Sequence, residues 1–309
     1  VNPDNLRGMN VWSDMYKVIR KANLMLARMD ECQDMTALDR RNYTGYIHFL
    51  RGYAYYHILM TCGPAILVGD EIFESNLDGP AYNTYRATYD ETVEYICSEL
   101  ETAAAYLPLK ASIAQFERPT KGAAYALIAR LRLHAASPLF NGTSTARLYF
   151  GNWKRTYDKE YYINQNYSEE KWALAAAACK RVIDMNVYEL FTVSKDQNTP
   201  QLPAGVPTEN FPNGAGGIDP FKSYSHMFTG DEPFKNNNEV IWGRISEEVK
   251  GYTQQSFPQY MGGYNGMGLT PVSYTHLRAH ETKANSRTII STAISGRCMP
   301  TVKCVSTPA

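Results

Sequence analysis

The stretch FLRGYAYYHILMTCGP, residues 49–64, constrains this chain more than any other. Leu50, Tyr53 or Ala54, His57 and Met60 or Thr61 recur every three to four residues, the spacing of one helical face. Gly63-Pro64 then stops the helix, because proline has no amide hydrogen to continue the ladder. Upstream, Trp12, Tyr16, Ile19, Asn23 and Leu26 keep the same period. A polar connection over 30–36 separates the two, and Thr36 with Asp39 forms a weak capping box. Helices over about 10–29 and 37–62 are therefore expected to pack as antiparallel neighbours.

The pattern repeats downstream. Helices are expected over about 89–107, 120–137 and 169–186, with a stronger capping box at Thr88 and Glu91 and with Pro108 and Pro138 beyond two of the ends. Two stretches, 68–88 and 141–167, read as long non-helical insertions. Prolines and glycines crowd 192–238, too many for a helix. EVIWGRIS, 239–246, alternates as a strand does, and 251–268 is rich in Gly, Tyr and Gln. The fold class that follows is mainly α, a helical hairpin array with long irregular loops and little β. In such an array each hairpin buries its apolar face against its neighbours.

Several blocks occur in a recognisable order: W-x3-Y-x2-I-x3-N-x2-L from Trp12, then FLRGYAYY and CGPAILV, RPTKGAA at 118–124, Trp172 with Ala175 to Ala178, and NEVIWGR at 238–244. Together they resemble the SusD/RagB family of nutrient-binding outer-membrane lipoproteins. The resemblance implies that the array is tetratricopeptide-like. It also implies capture of oligosaccharides at the surface of a Bacteroidota-type bacterium, without catalysis or cofactor, and delivery to a TonB-dependent, SusC-like transporter. Membrane association would come only through a lipid anchor on a cysteine upstream of Val1, after a signal peptide.

The resemblance spans about 5–270. VSYTHLRAHET, 272–282, reads instead like a translated sequencing adapter. The expected organisation is a SusD-like domain over 1–270, truncated at both ends, with the helical array over about 10–190 and a loop-rich part over about 191–270. Residues 271–309 are expected to be a non-native, disordered tail. His276, His280, Cys298 and Cys304 would otherwise suggest zinc, but they lie in that tail, so no metal site is expected.

Composition narrows the function. The whole chain has 31 basic and 31 acidic residues. The tail holds Arg278, Lys283, Arg287, Arg297 and Lys303 but only Glu281, so the remainder is mildly acidic and carries no basic footprint for nucleic acid. Cys32, Cys62, Cys97 and Cys179 sit in or beside apolar helical patterns, which favours packing over a disulfide framework. No apolar run is long enough to span a bilayer as a helix.

Candidate binding residues lie in the loops. Of 23 tyrosines, Tyr82, Tyr85, Tyr149, Tyr157 and Tyr167 fall outside predicted helices. The main candidate cluster is Tyr252, Gln255, Tyr260, Tyr264 and Asn265, which combines flat apolar faces with amide donors and acceptors. A second is Trp153 with Tyr161 and Tyr162, where Trp153 could equally plug the array. Trp12, Trp172 and Trp242 fit apolar positions and read as core. His57 and His134 read as partnered packing residues. No catalytic residue is assigned. A glycosidase would draw its two carboxylates from Asp158, Glu160, Asp231, Glu232, Glu247 and Glu248, none of which has a distinguishing context. A protein-docking scaffold without a small ligand is the other alternative.

Overall fold

The computed structural model describes residues 11–74, 79, 84–229, 237–243, 251, 254–255, 257 and 259–264. Two compact units divide the chain, Val1–Ile245 and Ser246–Ala309. In the first, the helices are α1 (Trp12–Arg28), α2 (Ala37–Cys62), α3 (Tyr89–Tyr106), α4 (Lys121–Ala136), α5 (Ser144–Phe150), α6 (Glu170–Asp184) and α7 (Pro220–Thr229). None of the described helices is long and apolar enough to cross a membrane. In the second unit, a short 3-10 turn covers Gln259–Met261.

The array is sequential: α1 packs on α2, α2 on α3, α3 on α4 and α4 on α6. Contacts between the start of one helix and the end of the next make neighbours antiparallel. Tyr16 meets Tyr55 while Met29 meets Thr44. Likewise Gly45 lies against Leu107, whereas Ala65, just past α2, bonds Thr92 near the start of α3. The core runs through α2 and α3, where Phe49, Tyr55, Ile58, Ile96 and Leu100 are fully buried. Each such side chain contributes roughly 1.5–3 kcal/mol through burial.

Local chemistry sets the ends as expected. Thr36 accepts the Asp39 amide at 3.1 Å, and Thr88 and Glu91 complete a reciprocal capping box. Gly63 ends α2 with φ +79°, a conformation that L side chains rarely adopt. Gly52 serves a different purpose. A Cβ there would sit 3.2 Å from Leu100 and 3.3 Å from Glu99, so the bare backbone lets α2 and α3 approach closely.

Four expectations need correction. The insertion over 141–167 contains α5, capped by Thr143. The proline-rich 192–238 contains α7. The strand expected over 239–246 is absent from its described residues 239–243, which form a turn and an irregular segment. Trp242 there still packs edge-on against Phe49 and Tyr53 and donates its indole N–H to the Glu117 carbonyl at 2.7 Å. Irregular backbone delivers that side chain as well as a strand would. Trp172 is not core: it is 40% exposed. The four described cysteines are free, and only Cys97 is buried, while Cys32 is exposed. Burial pushes the Cys97 thiol up to about 12, which keeps it protonated. Three isolated bridges are the only β pairing among the described residues.

Candidate functional site

The loop after α5 folds back on itself as an irregular hairpin. Lys154 and Tyr161 form an antiparallel bridge, the Arg155 amide donates to the Glu160 carbonyl at 2.8 Å, and the Tyr162 amide donates to the Trp153 carbonyl at 3.1 Å. Arg155 is the clamp. Only 6% exposed, its guanidinium pairs with Asp158 at 2.7 Å, with Glu160, and with Glu91 of α3 at 3.0 Å. The Tyr89 amide donates to the Tyr162 carbonyl at 2.8 Å, which fixes the hairpin to the start of α3.

This docking sorts the aromatic residues. The Trp153 ring packs 4.7 Å from Tyr162 and 6.0 Å from Phe150, and its edge would lie 3.3 Å from a Cβ on Gly63. Both Trp153 and Tyr162 are half-buried, and Trp153 packs against the main core, so of the two roles open to Trp153 the packing one is in place. Tyr161 is arranged differently: Lys154 Nζ lies 4.3 Å from its ring centroid, and the residue lines an open cleft. At the hairpin tip Tyr157 meets Tyr85 with ring centroids 4.2 Å apart and planes at 40°. These two rings are 50% and 64% exposed, and the Arg155 guanidinium lies 5.2 Å from the Tyr157 centroid.

The cleft has a volume of about 900 Å³ and lies between α3 and residues 160–166. Asp90, Glu94 and Ser98 line it from α3, and Tyr161, Asn164 and Gln165 from the loop. Glu91 and Glu160 also line it, and both bind Arg155, whose guanidinium faces the Tyr157 ring. A flat apolar face next to carboxylates, amides and hydroxyls suits a ligand with apolar ring faces and many hydroxyl groups.

Two acids here, Asp158 and Glu91, are poorly suited to proton donation. Burial alone would raise the Asp158 carboxyl, but the Arg155 hydrogen bond and charge hold it below its ordinary value. Glu91 behaves alike: burial opposes, and bonds from Thr88 and Arg155 lower it. A glycosidase acid needs the opposite shift. Glu160, the other described candidate, is paired with Arg155, and Asp231, Glu232, Glu247 and Glu248 lie outside the described residues. His134 holds the Tyr89 hydroxyl at 2.8 Å and His57 lies edge-on to Tyr53 at 4.4 Å; burial lowers the pKa of both.

In the second unit Gln255, Tyr260 and Tyr264 are exposed, the two rings at 58% and 62%. The Tyr264 amide donates to the Gln254 carbonyl at 2.7 Å, and a Cβ on Gly263 would collide with the Phe257 carbonyl oxygen at 1.9 Å. The segment is thus folded tightly on itself. Tyr252 and Asn265 lie outside the described residues, as do His276, His280, Cys298 and Cys304. No group of three or more metal-ligating side chains occurs among the described residues.

Sequence reading placed Tyr85 and Tyr157 among the loop aromatics but could not pair them, since 72 positions and three helices separate the two. Residues 1–133 match the model of a family described as SusD-like, starch-binding associating with outer membrane. The fold is similar to that of a SusD-like protein from Bacteroides fragilis, with 21% identity and a TM-score of 0.52, covering 79% of this chain and 34% of that one. It is also similar to the protein BT4246, with 24% identity and a TM-score of 0.60, covering 77% of this chain and 41% of that one. This chain therefore spans less than half the length of these solved structures. At such identities the likeness is one of fold. No protein of curated function matches the chain.

Proposed function

We propose that this SusD-like chain captures oligosaccharides without transforming them, by stacking sugar rings on exposed tyrosines and hydrogen-bonding their hydroxyls. The observation that carries the reading is the exposed Tyr85–Tyr157 pair, linked through Arg155 to a cleft lined by acids, amides and hydroxyls. It is supported by the family description for residues 1–133, which names starch and the outer membrane. Acids held ionised by Arg155 argue for hydroxyl acceptors rather than proton donors. Tyr161 belongs to this site. Gln255, Tyr260 and Tyr264 are proposed as a second contact region, and Trp153 and Tyr162 as the supports that hold the hairpin.

In the same reading the protein is a surface-exposed outer-membrane lipoprotein that hands its ligand to a SusC-like, TonB-dependent transporter. Residues 1–270 make up the functional part, and the tail from 271 takes no part in it. The test is native affinity electrophoresis of the full chain through gels containing a panel of polysaccharides, starch among them. Retardation in at least one gel, lost when Tyr85→Ala and Tyr157→Ala are combined and helical circular dichroism is retained, is the expected outcome. Unretarded migration of the folded chain in every gel overturns glycan capture and favours a docking scaffold.

A further inference from the structure

We propose that the cleft is one end of a continuous channel along α3 that holds an extended, uncharged polysaccharide segment. The proposal rests on glycan capture being the function and names the form of ligand taken. Two further hollows, of about 230 and 360 Å³, lie along the same helix. Glu94 lines all three, Asp90 and Asn164 are common to the first pair, and Arg132 and Leu174 to the second, so the three hollows adjoin one another along α3. The floor of the proposed trough follows α3 from Asp90 to Glu101, about 17 Å at the helical rise of 1.5 Å per residue. That length suits several linked sugars better than one. The far wall is formed by Leu174, Ala177 and Ala178 of α6, whose Lys171 and Arg181 reach across to Asp90 and Glu101.

The lining decides the charge of the occupant. Asp90 is paired with Lys171 at 2.6 Å, Glu94 with Arg132, and Glu101 with Arg181, whose guanidinium also lies 3.7 Å from the Tyr125 ring centroid. Arg132, Lys171 and Arg181 are the cations lining the three hollows, and each is already held by an acid. A carboxylated or sulfated glycan would have to break one of these bridges to gain a partner. A neutral glycan can hydrogen-bond to the paired groups while leaving every bridge intact, since a carboxylate keeps spare lone pairs after binding one cation. Ser98, Asn164 and Gln165 add uncharged donors and acceptors.

The experiment is isothermal titration of the full chain with maltotriose, maltoheptaose and a heptameric oligogalacturonate at one salt concentration. Maltoheptaose is expected to bind at least tenfold more tightly than maltotriose and than the oligogalacturonate. Ala177→Trp, which fills the far part of the trough from an exposed helix position, should bring maltoheptaose down to the affinity of maltotriose. Ser98→Trp, on the facing helix, should act in the same direction. Equal affinity for the two maltose oligomers, equal affinity for the acidic heptamer, or no effect of either tryptophan overturns the channel. A chain still retarded by a polysaccharide gel in that event retains glycan capture; a chain retarded by none loses both.

Discussion

Arg51 is the residue whose role no spacing announces. The sequence marks an Arg-Gly-Tyr step within an apolar helix, where a charge is out of place. The structure resolves this with a network: Arg51 is 3% exposed and gives both ends of its fork to Glu99 at 2.7 Å. It also donates to Asn23 of α1 at 2.9 Å and to Asp70 of the following loop at 2.5 Å. Gly52 beside it admits the neighbouring helix. Removing the cation strands a buried carboxylate, so Arg51→Met should cost about 3–5 kcal/mol in chemical denaturation. Adding Glu99→Leu should recover part of that loss. A further consequence concerns pH. Burial would raise Glu99, yet hydrogen bonds from His48 and Arg51 hold it below its ordinary value. The unfolded carboxyl titrates near about 4.3, so its stabilising contribution is complete above that pH. The contribution fades as pH falls through the lower folded value. The stability difference between the wild type and Glu99→Gln should therefore be constant near neutrality and shrink below about pH 4; a difference independent of pH down to acid unfolding would contradict this origin.

At the scale of elements, the five array helices were legible because each carries a sustained apolar period and punctuated ends. α2 occupies the span the pattern predicts, from Ala37 to the Gly63-Pro64 stop. α5 and α7 were not legible, for reasons of length and context. α5 has seven residues, too few for a period to register, and its start depends on the Thr143 side chain accepting the Ala146 amide. α7 opens at Pro220, a position where the missing amide hydrogen costs nothing. Asp219, fully buried, supplies the cap by accepting the Lys222 amide at 2.9 Å. The prolines upstream hide that signal. Capping also yields a measurable cost. Thr88→Ala removes the acceptor for the Glu91 amide and one half of the capping box on α3. It should destabilise the chain by about 1 kcal/mol, read as a lower denaturation midpoint with unchanged slope. An unchanged midpoint would mean that the Tyr162 contact alone fixes this helix start.

At the scale of the whole molecule, the site was harder to read than the fold because it is assembled from segments distant in sequence. Tyr85 precedes α3, Tyr157 and Tyr161 follow α5, and the trough needs α6 as well. Periodicity names the helices but is silent on which loop tip folds against which. The sequential packing also implies that stability is unevenly spread. α2 and α3 each bury nine residues, whereas α6 buries only Ala175, packs mainly on α4 and meets α3 through the Lys171–Asp90 and Arg181–Glu101 bridges. In an array held by nearest-neighbour interfaces, an element with one main partner opens more readily than one with two. Hydrogen exchange followed by mass spectrometry should show α6 exchanging well before α3, with α2 the other slow segment. The same gradient bears on ligand binding. If a long glycan lies between α3 and α6, saturating maltoheptaose should slow exchange in α6 more than in α2, because α6 has the most opening left to suppress. Slowing confined to peptides around Tyr85 and Tyr157 would restrict binding to that aromatic pair, and protection equal across α2, α3 and α6 without ligand would show that the array opens as one unit.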